Sequence, residues 1–195
     1  MTNIAVFASG NGSNCENIIR FFNGNNDIKV NLVICNNPKA YVIQRAEKLG
    51  VECQYLRKDG INNEQTMTEV LDRHNINFIV LAGFLLMIPQ FLIKKYNHRI
   101  MNIHPSLLPK FGGKGMYGHH VHEAVKAAGE TVTGITIHFV TEVCDGGEII
   151  AQFQTPLSPQ DTAEDIEAKV HVLEMNHFPH VIEETVKRIN GGNDK

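Results

Sequence analysis

The sequence predicts an α/β fold: a doubly wound, mostly parallel sheet with helices on both faces and an antiparallel C-terminal strand pair. Short apolar runs rich in Val and Ile alternate with longer amphipathic segments, the order that builds parallel strands joined by crossover helices. These runs are mainly apolar, as expected of strands covered on both faces. Past residue 130 the alternation gives way to two consecutive strand-like runs, which can pair as antiparallel neighbours.

Taken in order, NIAVFA is the first strand, and the SGNGSN that follows opens a helix over 13–23. IKVNLVIC, ECQYL, NFIVLAG and RIMNIH are the next four strands, with helices over 39–49, 63–74 and 89–96 between them. Pro89 can open its helix, because a proline at the first helical position loses no needed hydrogen bond. A loop rich in Pro, Gly and Lys over 105–118 runs into a further helix, and TVTGITIHFV and GEIIAQFQTPL form the antiparallel pair. The last amphipathic helix starts near Asp161, with Glu164 as its capping-box partner, and reaches about residue 190 with a break at Pro179.

The chain has 195 residues, 43% of them apolar, enough to bury the core of one domain. A net charge of −3 and the lack of a long basic run argue against a nucleic-acid partner. The most apolar segment, FIVLAGFLLMI, is too short to span a membrane, and MTNIAVFASG lacks the marks of a secretory signal. Cys15, Cys35, Cys53 and Cys144 have no C-x-x-C spacing, so a reduced cytoplasm is the expected setting.

Glycines in SGNGSN permit close backbone approach, and amides at a helix start favour an anion, so this loop is a candidate phosphate cradle. The alternative is a plain strand-to-helix turn with Ser13 as N-cap. The loop fits neither the dinucleotide fingerprint nor a Walker loop. Its place after a strand favours a ligand, since open α/β sheets bind beyond the carboxyl ends of their strands. Cys15 reads as a small apolar residue rather than a thiolate.

In IMNIHPSLLPKFGG, Asn102 and His104 stand two apart on a strand and share a face, and Pro105 then turns the chain out of the sheet. Asp145 lies far along the chain, before a Gly-Gly turn. An amide and an imidazolium can donate to a developing oxyanion, while a carboxylate favours the charged ring and moves protons. These three groups suit acyl transfer without a protein nucleophile, but spacing alone does not bring Asp145 beside His104.

In order, FASGNGSN, VLAGF, MNIHPSLLPKF, GITIHFV and DGGEII resemble the phosphoribosylglycinamide formyltransferases, from residue 4 to about 179. The resemblance implies transfer of a formyl group from 10-formyltetrahydrofolate to the amine of 5'-phosphoribosylglycinamide in de novo purine biosynthesis, without a metal or a covalent enzyme intermediate. It implies that Asn102 and His104 hold the oxyanion, while Asp145 keeps His104 charged. It implies that Gly12, Ser13 and Asn14 take the phosphate and Glu174 the ribose. The pterin would lie against backbone at Leu85, Leu86, Met87 and Ile88, and at Val140, Thr141, Val143 and Cys144. On this reading residues 1–190 are one domain, with a phosphate-binding half over 1–104, a folate and catalytic half over 105–190 and a tail over 191–195. Partners are small molecules, with neither nucleic acid nor membrane, and the chain acts as a monomer or a homodimer.

Leu85-Leu86 stand where many bacterial relatives carry Met-Arg, so any role of that arginine is absent. His119, His120 and His122 are spaced too closely for the usual helical metal pair and read as a solvated helix start. His138 is either a half-buried strand residue or part of the site wall. The runner-up function is hydrolysis of the same donor. A cysteine hydrolase using Cys144 is weaker, because no histidine is placed by sequence to activate it.

Overall fold

The structure, a computed structural model, describes residues 1–192. The first strands and helices are β1 (Thr2–Ala8), α1 (Ser13–Phe21), β2 (Ile28–Cys35), α2 (Val42–Lys48) and β3 (Glu52–Tyr55). They are followed by α3 (Lys58–Asn62), α4 (Glu64–Arg73), β4 (Phe78–Leu81), α5 (Gln90–Lys95) and β5 (Ile100–His104). The chain closes with α6 (His119–Ala127), β6 (Val132–Phe139), β7 (Ile149–Pro156) and α7 (Ala163–Gly191). The seven strands run in the order β3-β2-β1-β4-β5-β6-β7. β1 pairs in parallel with β2 and β4, and β2 with β3, whereas β6 and β7 are antiparallel, so the predicted architecture holds.

Two compact units divide the chain, one over Met1–Met101 and one from Asn102 onward. In the first, β1 is the central strand, and its residues 4–8 are fully buried. Its helices turn apolar stripes inward, Cys15, Ile18 and Ile19 from α1 and Met67, Val70 and Leu71 from α4. In the second unit, β6 is buried from Thr133 to Phe139, while β7 alternates between more and less exposed residues as an edge strand does.

Several boundaries differ from the sequence reading, each for a local reason. Thr162, not Asp161, caps α7: its hydroxyl accepts from the Asp165 N–H at 3.2 Å, and the Asp165 carboxylate accepts from the Thr162 N–H at 2.9 Å. Asp161 instead accepts from the Ser158 N–H at 2.8 Å and pairs with Lys169, closing the preceding turn. The helix passes Pro179 unbroken, because Phe178, Pro179, Val181 and Ile182 are all buried and their packing outweighs one missing donor. Pro89 is the residue before α5, in extended backbone. The short α3 has no apolar stripe that would announce it. Of the expected tail, residue 191 belongs to α7 and Gly192 is its C-cap, while 193–195 lie outside the described residues.

Candidate active site

Within the second unit, Asn102, His104 and Asp145 come together, and His138 from β6 joins them. The Asn102 Nδ2 lies 3.1 Å from the His138 Nε2. His104 Nδ1 stands 3.6 Å from one Asp145 carboxylate oxygen, and His138 Nε2 stands 3.7 Å from the other. All three ionisable side chains are withdrawn from solvent, His104 to 5% exposure, His138 to 3% and Asp145 to 11%.

Carbonyl oxygens only accept, and this decides where the ring protons sit. His104 Nε2 is 2.7 Å from the Phe111 carbonyl and therefore donates to it, which leaves Nδ1 facing Asp145. His138 Nδ1 donates in the same way to the Phe139 carbonyl at 2.9 Å.

The segment after His104 is braced from below. The Thr136 hydroxyl, fully buried in β6, donates to the Ser106 carbonyl at 2.7 Å and accepts from the Leu108 N–H at 2.9 Å. Gln152 of β7 donates to the Leu108 carbonyl at 3.0 Å and to the Thr136 hydroxyl at 2.9 Å. The Ser106 hydroxyl donates to the Lys110 carbonyl at 2.8 Å, which curls the loop until Phe111, in left-handed backbone, aims its carbonyl at His104. The Gly113 N–H then reaches the Asp145 carboxylate at 2.8 Å. Sequence reasoning missed Ser106, Thr136 and Gln152; the one signal was Thr136, two residues before His138 and so on the same face of β6.

Asp145 sits on the turn between β6 and β7, itself in left-handed backbone. Two residues on, a Cβ at Gly147 would stand 1.7 Å from the Phe139 carbonyl oxygen. The turn therefore lies directly against the end of β6 and needs glycine there.

Burial pushes the His104 imidazole below its ordinary value, outweighing the Asp145 charge and the Phe111 carbonyl, which raise it. Near pH 7 this favours the neutral ring. Burial would raise the Asp145 carboxyl, yet the adjacent His138 ring, the Gly113 N–H and the His104 ring together bring it below the usual range. The carboxylate stays ionised. Burial and the neighbouring Asp145 charge push the Cys144 thiol up, so it is a poor nucleophile.

The glycine-rich loop belongs to the first unit. Gly12, not Ser13, occupies the cap position of α1, with φ 79° and no capping side chain; a Cβ there would meet the Val42 Cβ at 2.5 Å. The plain Ser13 cap is therefore not what this loop provides. Arg45 of α2 secures it by donating to the Asn11 carbonyl and side-chain oxygen, each at 2.9 Å, and by pairing with Glu16. Ser13 and Asn14 open α1, and Cys15 is buried, its thiol pushed far up. Ser9 ties this loop to the segment after β4, its hydroxyl accepting from the Leu85 N–H at 2.9 Å.

The remaining candidates fall on both units. In the first, Leu85 and Met87 are 56% and 57% exposed, Leu86 is half-buried and Ile88 is buried. In the second, Val140 is half-buried, Thr141 and Cys144 are exposed, and Val143 is 67% exposed. The Glu174 carboxylate of α7 lies 3.1 Å from the His171 Nδ1. His119, half-buried, and His120, exposed, meet Glu167 and Glu123 at 2.8 and 3.1 Å, whereas His122 is buried in α6. Among the described residues, no group of three or more ligating side chains is placed to hold a metal, and no helix is long and apolar enough to cross a membrane.

Residues 2–182 match the family described as formyl transferase. The chain is 40% identical to the phosphoribosylglycinamide formyltransferase of Bacillus subtilis, over 98% of both chains. It is 35% identical to the enzyme of that name from Haemophilus influenzae, over 93% of this chain and 86% of the relative. The crystal structure of phosphoribosylglycinamide formyltransferase from Bacillus halodurans superposes with a TM-score of 0.86 at 33% identity, covering 96% of this chain and 97% of the other.

Proposed function

Because this chain belongs to the formyl transferase family, we propose that it moves a formyl group from 10-formyltetrahydrofolate to the primary amine of 5'-phosphoribosylglycinamide, in the purine biosynthesis of the cytoplasm. The observation that carries the catalytic part of this reading is the meeting of Asn102, His104 and Asp145 in one water-poor cluster.

The amine nitrogen attacks the formyl carbon, and the carbonyl electron pair moves onto oxygen. An Asn102 N–H meets that developing oxyanion. The His104 Nδ1, unprotonated at rest, takes the proton that the attacking nitrogen sheds. Asp145, ionised and 3.6 Å away, stabilises the imidazolium so formed. The charged ring can then donate to the oxyanion, and its proton leaves on the departing folate nitrogen as the intermediate collapses. Charge and protons balance without a metal or a bond to the protein.

Gly12, Ser13 and Asn14 take the substrate phosphate, and Glu174 takes the ribose hydroxyls. Backbone over 85–88 and 140–145 takes the pterin, with the exposed Leu85, Met87 and Val143 as apolar surface. Small molecules are the only partners the reading needs, and a monomer or a homodimer satisfies it.

Mixing the protein with the formyl folate, with and without the amine substrate, tests the assignment. Folate release that requires the amine is expected; release in its absence indicates a hydrolase and overturns the reading. The resting state of His104 adds a pH dependence. Protonated Nδ1 cannot accept the amine proton, and the ring's value lies below 6.5, so the loss of kcat/KM that belongs to the ring, beyond that from protonating the substrate amine, comes only beneath that point. An NMR titration of the free protein in which the His104 ring has its midpoint above 6.5 contradicts a neutral resting ring.

A further inference from the structure

We propose that His138 is a positioning residue that fixes which way the Asn102 amide faces, and that this orientation makes Asn102 a donor to the oxyanion. The inference rests on the transfer reading above.

Which atoms can donate decides the orientation of the amide. The Phe139 carbonyl, 2.9 Å from His138 Nδ1, can only accept, so Nδ1 carries a proton. In the neutral ring, Nε2 is then an acceptor, and 3.1 Å away it finds the amide nitrogen of Asn102. One amide N–H is held by His138, and the second N–H of the same planar group is left for the substrate. A flipped amide would set its oxygen against the Nε2 lone pair and would present an acceptor, not a donor, to a developing negative charge. His138 is buried, so water does not compete for Nε2. The groups that face the ring are Asp145, with an oxygen 3.7 Å from Nε2, and His104, which Asp145 also contacts. A tautomer fixed by a backbone carbonyl thus selects the rotamer of the side chain beside it.

His138→Phe keeps the ring's bulk and removes the acceptor, whereas His138→Gln replaces the ring with a chain long enough to return an acceptor near Nε2. For the Phe variant, kcat is expected to fall about ten- to a hundredfold, less than the roughly 10²–10³ lost with an entire oxyanion donor. KM for both substrates stays within about threefold, since ground-state binding is not touched. The Gln variant recovers to within about fivefold of the parent. In an Asn102→Ala background, His138→Phe changes kcat by less than about twofold, because the residue it acts through is gone. The inference is overturned if the Phe variant keeps kcat within about twofold, if Gln is no better than Phe, or if the two losses multiply in the double variant. Normal turnover by Asn102→Ala alone would instead overturn the transfer reading itself.

Discussion

Substituting His104 with alanine is expected to lower kcat by about 10²–10⁴, the range that a positioned acid–base group supplies. The ring is asked to do two things in sequence: take a proton at Nδ1, then stand as a cation beside the oxyanion. Neither task passes easily to a neighbour. His138 Nε2 faces Asn102, and Asp145 is held below the usual carboxyl range and is a weaker base. The substitution also takes from the Phe111 carbonyl its 2.7 Å partner, leaving the Ser106 hydroxyl at 3.5 Å, at a cost of up to about 1–3 kcal/mol if no water replaces it. Loss of activity must therefore be separated from loss of fold by a thermal melt on the same sample. A folded variant whose kcat stays within about threefold of the parent would remove His104 from the chemistry.

Gly147→Ala is expected to disable the site from a residue that touches no substrate. Its Cβ would lie 1.7 Å from the Phe139 carbonyl oxygen and 2.8 Å from the carbonyl carbon, and neither atom belongs to a side chain that can turn aside. The same carbonyl accepts from His138 Nδ1, and the Phe139 N–H donates to the Glu148 carbonyl at 2.9 Å, so the clash meets a backbone already held on both sides. The turn must move, and Asp145 moves with it. Overpacking of this kind costs about 1–3 kcal/mol, or about 2–4 °C of Tm for each kcal/mol in a chain of this size. A displacement of about 1 Å at the carboxylate is worth up to roughly a hundredfold in rate. Gly191→Ala, at the end of α7, is the control: its Cβ would have no neighbour within 4 Å. Equal melting points and rates for the two variants would contradict this account of the turn.

The parts of the molecule that were legible in the sequence are those decided by neighbours along the chain. β2 was readable to the residue, because Ile28, Val30 and Leu32 to Cys35 are apolar while NGNND before them and NNPK after them are turn-forming, which leaves the strand little freedom in where it ends. Asn102 and His104 were placed on one face by the period of a strand alone. What escaped depends on contacts made far along the chain. Asp145 reaches His104 only because β6 and β7 form a hairpin whose turn folds against the end of β6. His138 had two open readings until its Nδ1 found a backbone carbonyl and its Nε2 found Asn102. Thr136 and Gln152 look like ordinary strand residues until the loop they brace is present. The cap of α7 was missed by one residue, since Asp161 and Thr162 are both good caps and Lys169 claims the first. Pro179 breaks helices by local rules, but here the packing of its surroundings prevails.

The central claim is that the formyl group passes directly between the two substrates, with Asn102, His104 and Asp145 assisting and no protein atom bonded to it. A single-turnover experiment, with enzyme in excess over a donor labelled in the formyl carbon, tests this most directly. The account predicts that label appears in the amide product as fast as the donor is consumed, with none remaining on acid-precipitated protein. Label bound to the protein, at Cys144 or elsewhere, or label released as formate while the amine is present, would contradict it.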